Sequence, residues 1–146
     1  MLLPGTVAIV IPALVVWLGG AEIAPITAVI GALLIAVGLA LVASTVRLFV
    51  SVGRGTLAPW DPTSRLVVRG PYRLVRNPMI TGVATILAGE ALFFRSWGIA
   101  IELALFVVVN AIYFPLVEEP GLRRRFGAEY EEYRRRVRRW LPRARR

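Results

Sequence analysis

Two long stretches near the start of the chain carry no charged side chain, and they constrain the fold more than any other feature. They cover residues 1–21 and 23–46, with only Glu22 between them. A membrane-spanning helix needs roughly 20 apolar residues, so each stretch is long enough to cross a bilayer. The chain as a whole is 57% hydrophobic, more than a soluble domain of its length requires. The sequence therefore predicts an integral membrane protein.

Apolar segments of suitable length occur at four places in the chain. We predict transmembrane helices over residues 4–18, 24–49, 78–94 and 97–117. Gly19 and Gly20 suit the turn between the first two helices, and Arg95-Ser96 makes a tight reversal between the last two. A polar loop, residues 51–77, separates the two pairs. We therefore predict an all-α fold with a single domain over residues 1–146.

The highly charged C-terminal segment predicts an amphipathic helix over residues 120–141. Its apolar residues recur every three or four positions: Leu122, Phe126, Tyr130, Tyr133, Val137 and Leu141. Two acid–arginine pairs with i,i+4 spacing favour the helix: Glu131–Arg135 and Glu132–Arg136. Pro142 ends it. We expect this helix to rest on the membrane surface or on the loop, with its apolar residues used for packing.

Every basic residue is an arginine, and the placement of the arginines predicts an orientation. Sixteen of the 18 lie in the loop at 51–77 or in the C-terminal segment. Positive residues favour the cytoplasmic side, which puts the loop and both termini in the cytoplasm of a multi-pass protein of the cell (inner) membrane. The net charge of +9 alone does not exclude an oligonucleotide. Since membrane proteins have a more ordinary use for arginine, we expect no nucleic-acid partner.

The chain contains neither histidine nor cysteine, and this excludes several kinds of site. A disulfide, a Cys or His metal site, a thiolate nucleophile and a Ser-His-Asp triad cannot be built from its residues. We expect no bound metal. Any catalysis must rest on carboxylates, arginines, tyrosines, hydroxyls, backbone groups or a bound cofactor.

Two polar segments flank the predicted hairpin of the third and fourth helices. Residues 69–78 enter the third helix, and Glu118-Glu119-Pro120 leaves the fourth. Because a hairpin returns the chain to its starting face, we expect the two segments to lie close together, where carboxylates facing an arginine suit a zwitterionic ligand. Helical spacing puts Asn110 and Tyr113 on a broad face with Glu118, whereas Glu119 points elsewhere.

Both segments resemble motifs of a known family of membrane enzymes. Gly-Pro-Tyr-Arg at 70–73 and Val-Arg-Asn-Pro-Met at 75–79, with Gly82, are similar to the signature of the methyltransferases that include isoprenylcysteine carboxyl methyltransferase and the phospholipid N-methyltransferases. The C-terminal motif of that family resembles a second set of residues: Glu118-Glu119, Leu122, Phe126-Gly127, Tyr130 and Tyr133. The motifs stand in the family's order, and the resemblance runs from about residue 53 to residue 142.

The resemblance implies a methyl donor, S-adenosyl-L-methionine, bound at the cytoplasmic face between the loop and the C-terminal segment. It also implies a lipophilic acceptor from the bilayer, either an isoprenylcysteine-like carboxylate or a phospholipid amine. Asn77 stands where the carboxyl methyltransferases usually have His, although the phospholipid enzymes also have Asn-Pro-Met there. Ile80 stands where a Tyr is common.

By position in the motifs, Arg76, Asn77 and Pro78 correspond to the family's Arg-His-Pro, and Glu118-Glu119 to its cofactor-binding acidic pair. The candidate catalytic residues are Arg76 and Asn77. The candidate cofactor-binding residues are Tyr72, Arg76, Asn77, Pro78, Gly82, Asn110, Tyr113, Glu118 and Glu119.

The polar candidates also have simpler structural interpretations. Glu119 is spaced to pair with Arg123, Arg76 is suited to contact lipid headgroups, and Tyr72 is suited to anchor the chain at the membrane interface. Glu90 and Glu102 are costly inside a membrane and are therefore further candidates. Both are predicted near the far-side turn, where water or Arg95 can neutralise them.

Two other functions are compatible with the sequence. A sterol-type membrane reductase, which resembles the methyltransferases in its C-terminal half, would bind NADPH, although such chains are typically longer. A non-enzymatic membrane adaptor would use the arginine-rich C-terminal segment to bind anionic lipid or an acidic partner. The sequence names neither the methyl acceptor nor the oligomeric state.

Overall fold

A computed structural model describes residues 5–53 and 64–140 of the chain. Within these ranges it contains five α-helices: α1 (Ile11–Gly19), α2 (Pro25–Leu48), α3 (Pro78–Phe93), α4 (Trp97–Tyr113) and α5 (Glu119–Arg136). Wider π-helical turns precede α1, follow α2 and join α4 to α5, at Thr6–Val10, Phe49–Gly53 and Phe114–Glu118. No strand occurs in the described ranges, which confirms the all-α prediction. The predicted end of the C-terminal helix at Leu141 and Pro142 lies outside these ranges, as do residues 143–146.

Two of the helical runs are long and apolar enough to cross a membrane, Pro25–Gly53 and Trp97–Arg136. In the most apolar 18 residues of each run, only 11% are buried. A core helix of a soluble domain would be mostly buried, so neither run is such a helix. Large apolar side chains such as Ile26, Leu33 and Leu105 are exposed along them, as expected of surfaces that contact lipid. Two shorter apolar helices accompany them, Thr6–Gly19 and Pro78–Phe93.

The described residues form two compact units, and the first lies within Met1–Ala40 and Ile80–Val109. In this unit α2 and α3 approach each other backbone to backbone. A Cβ atom added to Gly31 would lie 2.5 Å from the carbonyl oxygen of Gly89, and one added to Gly38 would lie 2.7 Å from that of Gly82. Small residues permit such close packing between membrane helices.

The turns of the first unit follow the predicted positions. Gly20 has a positive φ of 74° at the end of α1, and Arg95 has one of 49° in the reversal between α3 and α4. The guanidinium of Arg95 lies 3.4 Å from the exposed carboxylate of Glu22, so it does not neutralise Glu90 or Glu102 as the sequence suggested. Both carboxylate oxygens of Glu102 are buried without a hydrogen-bond partner among the described residues.

The second unit lies within Leu41–Met79 and Asn110–Arg146, and its core forms between the loop and α5. Tyr130, Tyr133 and Val137 are buried together, and the surrounding apolar side chains are Leu66, Val68, Leu122 and Phe126. This confirms that the periodic apolar residues of the C-terminal segment form a packing face, and that this face rests on the loop. Residues 66–68 of the loop belong to neither a helix nor a strand.

Helix α5 differs from the predicted helix in its length and straightness. It ends at Arg136 instead of residue 141, because Val137 has extended backbone angles (φ −117°, ψ 129°) and the residues after it pair with the loop. Gly127, with a φ of 50°, kinks the helix. The predicted pair of Glu132 with Arg136 is confirmed. The predicted pair of Glu131 with Arg135 is wrong, since across the kink Glu131 pairs with Arg123 at 2.7 Å.

Candidate active site

The loop segment before α3 is shaped by Gly70 and Pro71. Gly70 has a φ of 55°, which favours glycine, and Pro71 suits the start of the short 3-10 helix Gly70–Arg73. A Cβ atom at position 70 would lie 3.1 Å from Leu48, so the close approach of the chain there also favours glycine. This turn directs the side chain of Tyr72 into the second unit, where it is 8% exposed.

Tyr72 is held from both sides. Its ring stacks on that of Phe49 with centroids 5.8 Å apart, and its carbonyl oxygen accepts a hydrogen bond of 2.8 Å from the hydroxyl of Tyr133. Burial raises the pKa of the Tyr72 hydroxyl, and the charges of Tyr133 and Glu118 raise it further. Tyr72 is therefore a neutral, buried group near Glu118, which argues against the anchor interpretation.

Arg76 connects the loop to the C-terminal segment. Its Nη1 donates hydrogen bonds to Glu119 Oε1 at 2.9 Å and to the hydroxyl of Tyr130 at 3.3 Å. The Arg76 side chain is only 9% exposed, so it does not face lipid headgroups. Its Nε is buried with no hydrogen-bond acceptor among the described residues. The predicted meeting of the two polar segments is thus confirmed, and it leaves a buried donor that an anion could satisfy.

The Glu119 carboxylate is shared among several arginines. Besides Arg76, its Oε1 accepts hydrogen bonds from Arg139 Nη2 at 2.8 Å and Arg139 Nε at 3.2 Å. Arg134 lies 4.0 Å from the other oxygen. The pairing of Glu119 with Arg123 that its spacing suggested is wrong, because Arg123 reaches Glu131 instead. The side chain of Glu119 is 7% exposed, and its surroundings carry more positive than negative charge.

Glu118 lies at the end of the π-helical turn Phe114–Glu118. Pro115 lies within this turn and lacks the N–H that a regular helix would use, so the helix widens there. The shared face predicted for Asn110, Tyr113 and Glu118 assumed a regular helix, and the wider turn changes that register. Burial raises the pKa of Glu118, while the nearby Arg125 guanidinium lowers it. Glu118 and Glu119 therefore have different surroundings, as predicted.

The remaining candidates are compared with the cluster formed by Arg76, Glu119, Tyr130 and Arg139. They differ in burial and in their distance along the sequence from these residues. Asn77 is 8% exposed, and Pro78 is buried at the start of α3, both directly after Arg76. Asn110 is half-buried, and Tyr113 is 36% exposed in the last turn of α4. Gly82 belongs to the first unit, where its carbonyl oxygen faces Gly38, so its described contacts are those of helix packing.

Two residues of the cluster were not among the sequence candidates. Tyr130 is 1% exposed and accepts the hydrogen bond from Arg76; its position in the C-terminal motif was a usable signal. Arg139 could not be found from spacing, because it lies 20 residues from Glu119 and reaches it only after the chain leaves α5. Its guanidinium also lies 5.7 Å from the ring centroid of Phe114.

Comparison with known proteins identifies the family to which the chain belongs. A search of curated proteins and a search of solved structures each gave no match. The family model described as phospholipid methyltransferase matches residues 26–129, which include both Arg76 and Glu118. Because this match covers most of the chain, the protein belongs to the phospholipid methyltransferase family.

Proposed function

We propose that this protein transfers a methyl group from S-adenosyl-L-methionine to a lipophilic acceptor at the cytoplasmic face of the membrane. In this proposal four helices cross the bilayer, the loop and both termini are cytoplasmic, and the acceptor enters from the lipid. The family match, the four apolar helices and the distribution of arginines support it. The observation that carries it is the buried Arg76 guanidinium, whose Nε has no acceptor among the described residues.

Arg76 is the residue that fits the carboxylate of the donor. A buried guanidinium with an unused N–H favours an anion, and a carboxylate is a planar partner that suits arginine. The one carboxylate already beside it, Glu119, is shared with Arg139, so positive charge remains at Arg76. Glu119 therefore acts on the donor site by positioning Arg76. Its position in the motif suggested a direct contact with the donor, which this role does not require.

Glu118 is the residue that fits the positively charged or hydroxyl-bearing groups of the donor. Glu119 is engaged by Arg76 and Arg139, whereas the charged neighbour of Glu118 is Arg125, whose guanidinium lowers the pKa of Glu118. Tyr72 and Asn77, both buried, shape the wall of the site beside Arg76. Asn110 and Tyr113 lie on α4, which leads to Glu118, and the proposal assigns them the inner part of the site from this position and not from a shared helical face.

The bound donor supplies an electrophilic methyl group attached to a sulfonium. The residues of the chain then have to align the acceptor with it and exclude water. An acceptor carboxylate is already ionised at neutral pH, whereas an amine must lose a proton, and without histidine only a carboxylate, a tyrosine or water can take it. The neutral Tyr72 and Asn77 are suited to orient the acceptor in either case.

Calorimetry with S-adenosylhomocysteine tests the proposal on the purified full chain in lipid nanodiscs. We expect the wild-type protein to bind it, Glu118→Gln to weaken binding about tenfold through loss of a charge-assisted contact, and Glu129→Gln, an exposed acid of α5, to leave binding unchanged. NADPH in the same assay should not bind. Binding of NADPH but not of S-adenosylhomocysteine would favour the reductase and contradict this proposal.

The acceptor is identified by incubating membranes that contain the protein with a methyl-labelled donor. Label in phospholipid or in isoprenoid-modified material indicates which acceptor is used. Absence of label from every lipophilic fraction, together with the absence of S-adenosylhomocysteine binding, would leave the adaptor as the better explanation.

A further inference from the structure

The chain beyond α5 returns to the loop that carries Arg76. The backbone N–H of Arg76 donates a hydrogen bond of 2.9 Å to the carbonyl oxygen of Arg138, and Val75 and Arg138 form an isolated parallel bridge. Val137 is buried against Tyr130 and Tyr133. This segment lies beyond the residues that the family model matches, which end at 129. The segment therefore joins residues outside the matched range to the loop residues Val75 and Arg76 inside it.

The side chain of Arg139 holds both ends of the π-helical turn that presents Glu118. At one end its guanidinium stacks on Phe114, which is 3% exposed. At the other end two of its nitrogens donate to Glu119 Oε1. The Arg139 side chain is 28% exposed and the Glu119 side chain is 7% exposed, so the contact lies at the edge of a buried cluster.

Arg139 also shares the carboxylate that pairs with Arg76. Both arginines donate to the same oxygen of one carboxylate, so the negative charge of Glu119 is divided between two cations. Without Arg139, the Glu119 carboxylate is left to Arg76 and to Arg134, which lies 4.0 Å from its other oxygen. Arg76 would then carry less uncompensated positive charge, and its guanidinium would be drawn toward Glu119.

We propose that Arg139 is a positioning residue of the donor site, which acts through Glu119 to keep Arg76 incompletely neutralised and directed toward the carboxylate of the donor. The inference rests on the proposed function, since it assigns Arg139 a part in the binding of that carboxylate. Arg139 itself does not contact the donor.

The experiment compares Arg139→Gln, which shortens the side chain only modestly but removes its charge, with Arg139→Lys, which keeps the charge. The matched control is Arg135→Ala, an exposed arginine of α5. Affinities for S-adenosylhomocysteine and for 5′-methylthioadenosine, which lacks the amino-acid part, are measured on the full chain in nanodiscs. Arg139→Ala is added as a second variant, and thermal unfolding of each variant shows whether it is folded.

We expect Arg139→Gln to weaken the binding of S-adenosylhomocysteine about tenfold, as for a residue coupled to a binding group. We also expect Arg139→Lys to restore most of that loss, while 5′-methylthioadenosine and the Arg135→Ala control show no change. The inference is overturned if Arg139→Gln binds S-adenosylhomocysteine like the wild type, or if the two ligands lose affinity equally, which would indicate a general structural role. Failure of the wild-type protein to bind S-adenosylhomocysteine would instead overturn the proposed function.

Discussion

The two compact units of the protein are stabilised in different ways. In the first unit apolar side chains are exposed and the helices meet through glycine backbones, as at Gly31 and Gly89. In the second unit polar groups are buried and paired, as at Arg76 and Glu119. The stability of the first unit therefore depends on contact with lipid and on close packing of its helices. The stability of the second unit depends on specific hydrogen bonds and ion pairs.

This difference between the units indicates where chemistry is possible in a chain of this composition. A unit held by close backbone packing tolerates few polar groups, since an unpaired polar group in lipid is costly. The second unit gathers its charges around one buried carboxylate and keeps positive charge in excess there. Substitutions in the two units should therefore lower the free energy of unfolding for different physical reasons.

The largest effect is expected for Glu119→Ala in the second unit. Removing this carboxylate leaves Arg76 and Arg139 without their shared partner, and loss of one member of a buried ion pair costs about 3–5 kcal/mol of unfolding free energy. Denaturant titration in detergent micelles measures this change. S-adenosylhomocysteine binding should also be lost.

Glu132→Ala is the matched control for that substitution, because it removes a carboxylate from an exposed pair with Arg136. An exposed pair of this kind contributes about 0.3–0.5 kcal/mol. Equal destabilisation by the two substitutions would show that the buried cluster has no special role and that the comparison between the units is wrong.

A smaller but still large loss is expected for Gly31→Ala in the first unit. The added methyl group would lie 2.5 Å from a backbone oxygen of Gly89, and overpacking of this kind costs about 1–3 kcal/mol. Thermal unfolding in detergent measures it. The control is Gly121→Ala in α5, where nothing lies within 4 Å of the new atom and helix propensity should add about 1 kcal/mol. A neutral result at Gly31 would contradict the close packing of α2 and α3.

The smallest effect is expected for Tyr133→Phe. This change removes the hydroxyl that donates to the carbonyl oxygen of Tyr72 and leaves that acceptor buried, at a cost of about 1 kcal/mol. Denaturant titration of Tyr113→Phe, at a more exposed tyrosine, should show little change. If the two variants unfold alike, the hydrogen bond to Tyr72 does not hold the loop on α5.

The elements of the fold could be predicted from sequence wherever local pattern determines them. Long apolar runs indicated the four apolar helices, and the spacing of Leu122, Phe126 and Tyr130 indicated which face of α5 packs. The meeting of Arg76 with the acidic pair was expected from the hairpin between them. In each case the information lies in periodicity or in chain reversal.

The details that escaped prediction depend on contacts between distant residues. The end of α5 at Arg136 is set by the bridge between Val75 and Arg138, which no local spacing indicates. Likewise Glu119 pairs with Arg139 and not with Arg123, because the segment that carries Arg139 docks on the loop. The wider turn at Pro115 shows that a proline signals a disturbance of the helix without specifying its form.

The docked segment at residues 137–140 lies outside the residues that the family model matches, which end at 129. If Arg139 governs the charge left on Arg76, drift in that short terminal stretch would tune donor affinity while the signature stays intact. Under that proposal, a variant truncated after Arg136 would keep every residue that the family model matches and still bind S-adenosylhomocysteine poorly.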